Sequence, residues 1–328
     1  MTVIRDDLRS ALEAALGTSI GGRRIRRVDW RSCPDQSSFV IDEVDVELDD
    51  GSSLALIAKA TSWELLEHEA TLAKPRFLHD ANRELTAYKS ILSTLDVATP
   101  RYYGSVMCGP RDRRLLLERS TGVQLWQLDK FSAWHAAARW LARMHSRADA
   151  AVMCANGAAR HLLTYDEAFY RRWMRRAVAF GRHDASALTA LADRHGTVVT
   201  WLLEQPVGFI HGEFYSANIL VETHGNDVFV VRPIDWEMAA IGPRVIDLAS
   251  LLAGQWTDAE RADVASTYFR SLEGVGPGDA EHQIRTLDYC LIHLAVQNLG
   301  WSGQWTPPPQ HAHDWLGEAL RLCAKWNL

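Results

Sequence analysis

Residues 209–221 read FIHGEFYSANILV, a stretch in which polar side chains with catalytic chemistry break into apolar runs on either side. His211, Gly212 and Glu213 are consecutive, and Asn218 follows Glu213 by five positions. Moving a phosphoryl group onto a hydroxyl requires an acceptor that orients the attacking O–H, with oxygen ligands nearby for the metal that bridges the phosphates. Glu213 suits the first task, and the amide oxygen of Asn218 suits a hard cation such as Mg²⁺. Gly212 allows the backbone to turn sharply between them. Downstream, VFVVRPIDWE at residues 228–237 is a β-branched run that delivers Asp235 at its end, where a strand holds a metal-binding carboxylate rigidly.

HGEFYSAN followed by IDWE resembles the HGDxxxxN and IDxE pair of the aminoglycoside phosphotransferase and choline kinase family, whose fold is similar to that of protein kinases. The resemblance implies an α+β, two-lobed protein-kinase-like fold. A small N-terminal antiparallel sheet lobe with a helix would precede a larger, mainly helical C-terminal lobe. It also implies ATP and Mg²⁺ as cofactors, Glu213 as catalytic base, Asn218 and Asp235 as metal ligands, and His211 as a brace for the catalytic loop. One position departs from the family pattern, which has Asp where this chain has Glu213. The extra methylene moves the carboxylate by roughly 1 to 1.5 Å relative to its backbone. Intrinsic acidity barely changes, with ordinary values of about 3.9 for Asp and 4.3 for Glu. A misplacement of about 1 Å can cost on the order of a hundredfold in rate, so Glu213 raises the alternative of a weakly active homologue that binds a nucleotide or metabolite. Nucleotidyl transfer, with the same groups and the nucleotide reversed, is a third reading.

N-terminal to the motif, alternating and β-branched segments predict strands over residues 24–30, 39–48 and 54–60, then over 102–107 and 114–118. Helical periodicity predicts helices over 63–73 and 82–95. A kinase-like upper lobe supplies a strand lysine for the phosphates and a helical glutamate to orient it. Lys59 at the end of LALIAK and Glu84 on the second of those helices fit these parts. Lys59 also reads as a solvated edge residue, and Glu64, Glu67 and Glu69 compete with Glu84. RSCPDQSSF at residues 31–39 stands where a phosphate-covering turn belongs. Ser37 and Ser38 could contact phosphate there, or the segment could be an ordinary hairpin turn favoured by Pro34 and Asp35. The lobe boundary is expected in ERSTG at residues 118–122, giving a nucleotide-binding lobe at 1–119 and a catalytic and substrate lobe at 120–328.

Apolar residues at helical spacing dominate the second part, over residues 133–148, 166–179, 185–204, 259–272, 284–299 and 312–326. Asp247 in GPRVIDLASLL reads either as a helix-opening carboxylate favoured by the dipole or, by the resemblance, as a tether for the catalytic-loop backbone. Glu237 either assists the metal or accepts from a nearby N–H. HAHDW at residues 311–315 does not make a zinc site, because a spacing of two on a helix points the histidines to different faces. The 13 tryptophans include Trp301, Trp305 and Trp315, which serve packing or line an acceptor pocket.

With 328 residues, 47% hydrophobic and 23% charged, the chain has ordinary globular composition. A net charge of −6 argues against a general nucleic-acid or anionic-membrane binder. The expected partner is a small-molecule substrate, and oligomeric state is not legible. The amphipathic N-terminus lacks the long apolar run of a signal peptide. Five scattered cysteines without CxxC spacing predict neither disulfides nor a thiolate zinc site, in keeping with a cytoplasmic location.

Overall fold

Leu12, Leu16 and Ile20 recur along one face of helix α1 (Asp6–Ile20), and this stripe is buried against an antiparallel sheet. The sheet belongs to a computed structural model that describes residues 6–33, 38–148, 157–180, 184–225, 227–274, 278–303 and 313–328. Its strands are β1 (Ile25–Ser32), β2 (Ile41–Leu48), β3 (Ser53–Ala60), β4 (Tyr102–Gly109) and β5 (Asp112–Glu118), in the order β1-β2-β3-β5-β4. Strict alternation in β2 sends Val44, Val46 and Leu48 inward to meet Leu56 and Leu116. Gly104 lets β4 lie close to α1, since a Cβ there would meet the Ala15 carbonyl oxygen at 2.9 Å.

Two expected helices depart from regularity. The helix expected over residues 63–73 is instead a 3₁₀ turn (Trp63–Leu65), a bridge from Leu66 to Phe39, and then helix α2 (His68–Ala73). The Val40 N–H donates to the Leu65 carbonyl, so strand-like pairing overrides the local helical pattern. The helix expected over 82–95 runs as α3 (Arg83–Thr86), a π-helical stretch (Ala87–Ile91) and a 3₁₀ turn (Leu92–Thr94). The widened turn keeps Glu84, Tyr88, Ile91 and Leu92 all buried. Residues 61–81, which include the first of these segments, form a strap that leaves the sheet and reaches the helical region.

After β5 the chain enters β6 (Val123–Gln124), which joins β9 (Ile219–His224) and β10 (Val228–Pro233) in a three-stranded sheet ordered β10-β9-β6. A second short sheet holds β7 (Leu163–Thr164), β11 (Ala240–Pro243) and β8 (Val207–Ile210). Around them stand α4 (Phe131–Arg147), α5 (Glu167–Phe180), α6 (Ala185–Leu203), α7 (Val245–Leu251), α8 (Asp258–Ser271), α9 (Ala280–Leu299) and α10 (Trp315–Lys325). Their starts follow capping chemistry: Asp184, Thr257, Asp279 and Asp314 each accept a backbone N–H of the first turn. Capping explains the aspartate of HAHDW, while His313 packs edge-on against Trp315 and His311 lies outside the described residues. Trp305 and Cys154 also lie outside them. Among the described residues, Cys108, Cys290 and Cys323 are free thiols, and no helix is long and apolar enough to cross a membrane.

Candidate active site

The 211–218 loop connects β8 to β9, and its shape follows from three anchors. Gly212 adopts φ 84°, and a Cβ there would lie 2.3 Å from the Met238 carbonyl oxygen, so the close approach of two backbones requires glycine. Asp247, fully buried in the first turn of α7, accepts the N–H of His211 at 2.7 Å and that of Gly212 at 2.9 Å. His211 spans from the loop to the end of β10. Its Nε2 donates to the Ile234 carbonyl at 2.9 Å and its Nδ1 accepts the Glu213 N–H at 3.3 Å. One donor and one acceptor describe a neutral ring, and burial holds the imidazole below its ordinary pKa.

Behind Asp247 stands a residue that no motif announced. His145 on α4 contacts the same carboxylate through Nε2 at 3.2 Å and meets the Tyr268 hydroxyl through Nδ1 at 2.8 Å. Its only cue in the sequence is a histidine inside an apolar helix, which is more often a satisfied core residue.

Glu213 is half-buried, and no hydrogen bond or ion pair among the described residues engages its carboxylate. Desolvation, then the negative charges of Glu237 and Asp235, push it up to about 8, while Lys74 and Lys59 pull it down. Asn218 donates from Nδ2 to the Glu213 carbonyl at 3.0 Å, and no described bond occupies its amide oxygen.

Asp235 sits at φ 65°, ψ 65°, a left-handed conformation rarely adopted by residues with a side chain, just after β10. Its Oδ1 accepts from Lys59 Nζ at 2.6 Å, and Lys59 on β3 also pairs with Glu84 at 2.8 Å. Of the glutamates that competed in the sequence, Glu84 is the one that meets Lys59. It also accepts the Trp236 N–H at 3.2 Å. One lysine thus serves two acids. Desolvation works against charge on all three groups, but the charges of Asp235 and Glu84 keep Lys59 well above its ordinary value. The lysine in turn holds Asp235 below the usual carboxylate range, while desolvation pushes Glu84 up to about 7.

The oxygen donors of Asp235, Asn218 and Glu237 are the hard type Mg²⁺ prefers. Among the described residues no three His, Cys, Asp or Glu side chains are gathered to hold a metal alone. Mg²⁺ takes one or two carboxylates and leaves its other positions to water and phosphate oxygens.

Glu237 is engaged by Lys74, which follows α2 within the strap. The strap is further pinned by Asp80 to His161 at 3.1 Å and by Phe77 edge-on to Trp173 at 5.4 Å. Buried Arg83 adds donations to the carbonyls of His161 at 2.9 Å and Glu237 at 2.8 Å. Neither Lys74 nor Arg83 carried a sequence signal. The Ser38 carbonyl accepts the Glu67 N–H at 2.9 Å, and Ser37 lies outside the described residues. Trp301 stacks on buried Trp173 with centroids 5.7 Å apart.

A two-lobed kinase-like scaffold that seats an unengaged carboxylate on a tethered turn, beside a lysine shared between two acids, defines a phosphotransferase with an alcohol group as acceptor. The model of the phosphotransferase enzyme family, APH, matches residues 67–285. The chain belongs to that family. No curated protein matches the chain in sequence. Among solved structures, aminoglycoside 2'-phosphotransferase-IIIa is similar with a TM-score of 0.59 at 15% identity, over 98% of each chain. The microcompartment-associated aminopropanol kinase is similar with a TM-score of 0.58 at 15% identity, over 91% of each chain. Spectinomycin phosphotransferase APH(9)-Ia is similar with a TM-score of 0.52 at 10% identity, over 98% of this chain and 95% of that one. At such identities the likeness is one of fold.

Proposed function

We propose that this protein transfers the γ-phosphoryl group of ATP, with Mg²⁺, to a hydroxyl of a small molecule in the cytoplasm. The observation that carries the reading is the meeting of Glu213, Asp235, Lys59 and Glu84, delivered from a tethered loop, two strand ends and a helix. Nucleotide binding is further supported by the relatives, since aminoglycoside 2'-phosphotransferase-IIIa is known as a GDP complex and the spectinomycin enzyme as a complex with ADP and spectinomycin.

In this reading residues 1–119 bind the nucleotide and residues 120–328 supply catalysis and the acceptor pocket. Lys59 contacts the phosphates and Glu84 orients it, with Ser38 near the phosphates. Asn218 and Asp235 hold Mg²⁺, which when bound neutralises charge on the phosphate oxygens. His211 and Asp247 fix the loop. Glu213 accepts the proton of the acceptor hydroxyl as its oxygen forms the new bond to phosphorus. The bond from phosphorus to the bridging oxygen breaks, and its electron pair leaves with ADP. The longer arm of Glu213 is compatible with this role because its carboxylate is otherwise unengaged.

The test is an ADP-release screen across aminoglycosides, other natural products, amino alcohols and sugars, with ATP and GTP compared and phosphorus NMR on any hit. Asp235→Asn is expected to abolish turnover, by on the order of a thousandfold, with the fold retained. Full activity in that variant would remove the metal assignment, and release of AMP or pyrophosphate would replace phosphoryl with nucleotidyl transfer.

A further inference from the structure

Lys74 is a buried cation that the catalytic motifs leave unexplained. Its side chain is 5% exposed, its Nζ meets Glu237, and it stands 5.0 Å over the ring of Phe39. Lysine is rarely buried to this degree, and replacing a buried ion pair by apolar groups is often neutral or stabilising. Fold stability is therefore a poor reason for this pair to exist.

Position supplies a better one. Glu237 lies two residues past Asp235, and Phe39 lies two residues before β2. The charge of Lys74 is felt by both Glu213 and Asp235, as is that of Lys59. The two lysines stand on different elements and pair with neighbouring acids, Lys59 of β3 with Asp235 and Glu84, and Lys74 of the strap with Glu237. Anchors on the strap at Phe77 and Asp80, and just past it at Arg83, fix where the backbone of Lys74 can lie. A transferring phosphoryl group spreads negative charge over its three equatorial oxygens and is stabilised by cations already in place. Lysine serves such oxygens as a point charge.

We propose that Lys74 is a second phosphoryl-binding cation, which exchanges Glu237 for the γ-phosphoryl oxygens of the bound nucleotide. This rests on the nucleotide reading above, and it assigns Lys59 and Lys74 different shares of the phosphate chain.

Calorimetric titration with Mg²⁺ and either ADP or the non-hydrolysable analogue AMP-PNP separates the two. In Lys74→Gln the preference for AMP-PNP over ADP is expected to fall about tenfold relative to the unmodified protein, the loss of one charge-assisted contact. ADP affinity should change less than about threefold, and Lys74→Arg should keep most of the preference. If Lys74 merely latches the strap, both affinities fall by the same factor and the proposal is overturned. Lys74→Met, of similar volume and without charge, gives the same reading where the glutamine variant does not fold. Failure of the unmodified protein to bind either nucleotide overturns the nucleotide reading and this proposal together. Binding with an unchanged preference in the Lys74 variants overturns the proposal alone.

Discussion

The loop at residues 211–218 and the strap at residues 61–81 bring charge to the same site by opposite routes. The loop is shaped from within its own neighbourhood: a left-handed glycine, a histidine that bonds both ways, and one buried aspartate that takes two consecutive N–H groups. The strap is built of short helical turns, and distant partners hold it: Glu237 for Lys74, His161 for Asp80, and Trp173 for Phe77. A loop anchored on a buried carboxylate tolerates almost no error, whereas a strap held by several weaker contacts can shift by degrees. The two regions should therefore respond very differently to the loss of one anchor.

Asp247→Asn attacks the loop and should have the largest effect. It places an amide where two N–H donors and His145 now meet a carboxylate, costing on the order of 3 kcal/mol of stability. A shift of about 1 Å at Glu213 should cost on the order of a hundredfold in turnover. Melting curves and steady-state kinetics on any acceptor found in the screen check both numbers, and a variant that keeps full rate would show that the loop does not need its tether.

Glu237→Gln joins the two regions, because it removes the negative charge that most raises Glu213 and frees Lys74 to act on that carboxylate. In the nucleotide-free protein Glu213 becomes a competent base only as pH rises through about 8. The variant should bring that rise to lower pH, read from the pH dependence of kcat/KM. Stability has the opposite sign. Because the folded pKa of Glu213 lies above its ordinary value of 4.5, the contribution of its protonated form is complete below that value and lost as pH rises through about 8. The melting temperature should fall across this window, and less steeply in Glu237→Gln. An unmoved profile would mean that the two regions do not communicate through charge.

Asp80→Asn loosens the strap and should have the smallest effect. Asp80 and His161 are 29% and 21% exposed at the side chain, so the loss is expected to stay below about 1 kcal/mol. For a chain of this size that is a shift of about 2 °C in melting temperature. A loss as large as that of Asp247→Asn would erase the distinction between loop and strap.

The same contrast governs what could be read before the fold was known. Strands of the N-terminal sheet were legible because alternation in segments such as IDEVDVEL leaves one face to bury. Helices were legible from apolar spacing, as over 259–272 and 284–299, although the second begins earlier, at Ala280, where Asp279 caps it. The helix expected over 63–73 failed because Leu66 pairs with Phe39, a contact that local periodicity does not encode. The short strands β7 and β11 were missed because runs of two and four residues carry no period of their own.

By itself the sequence determined which groups the loop carries, since His211, Gly212, Glu213 and Asn218 lie within eight residues and their spacing fixes which atoms can face one turn. It also determined the alternation of the sheet and the apolar faces of the helices. Tertiary structure alone decided which glutamate meets Lys59, that His145 stands behind Asp247, and that Lys74 reaches Glu237 across 163 residues. The physical reason is that a charged side chain advertises its chemistry but not its partner. Partners are chosen when burial strips away water and leaves each charge only those neighbours the fold has brought near.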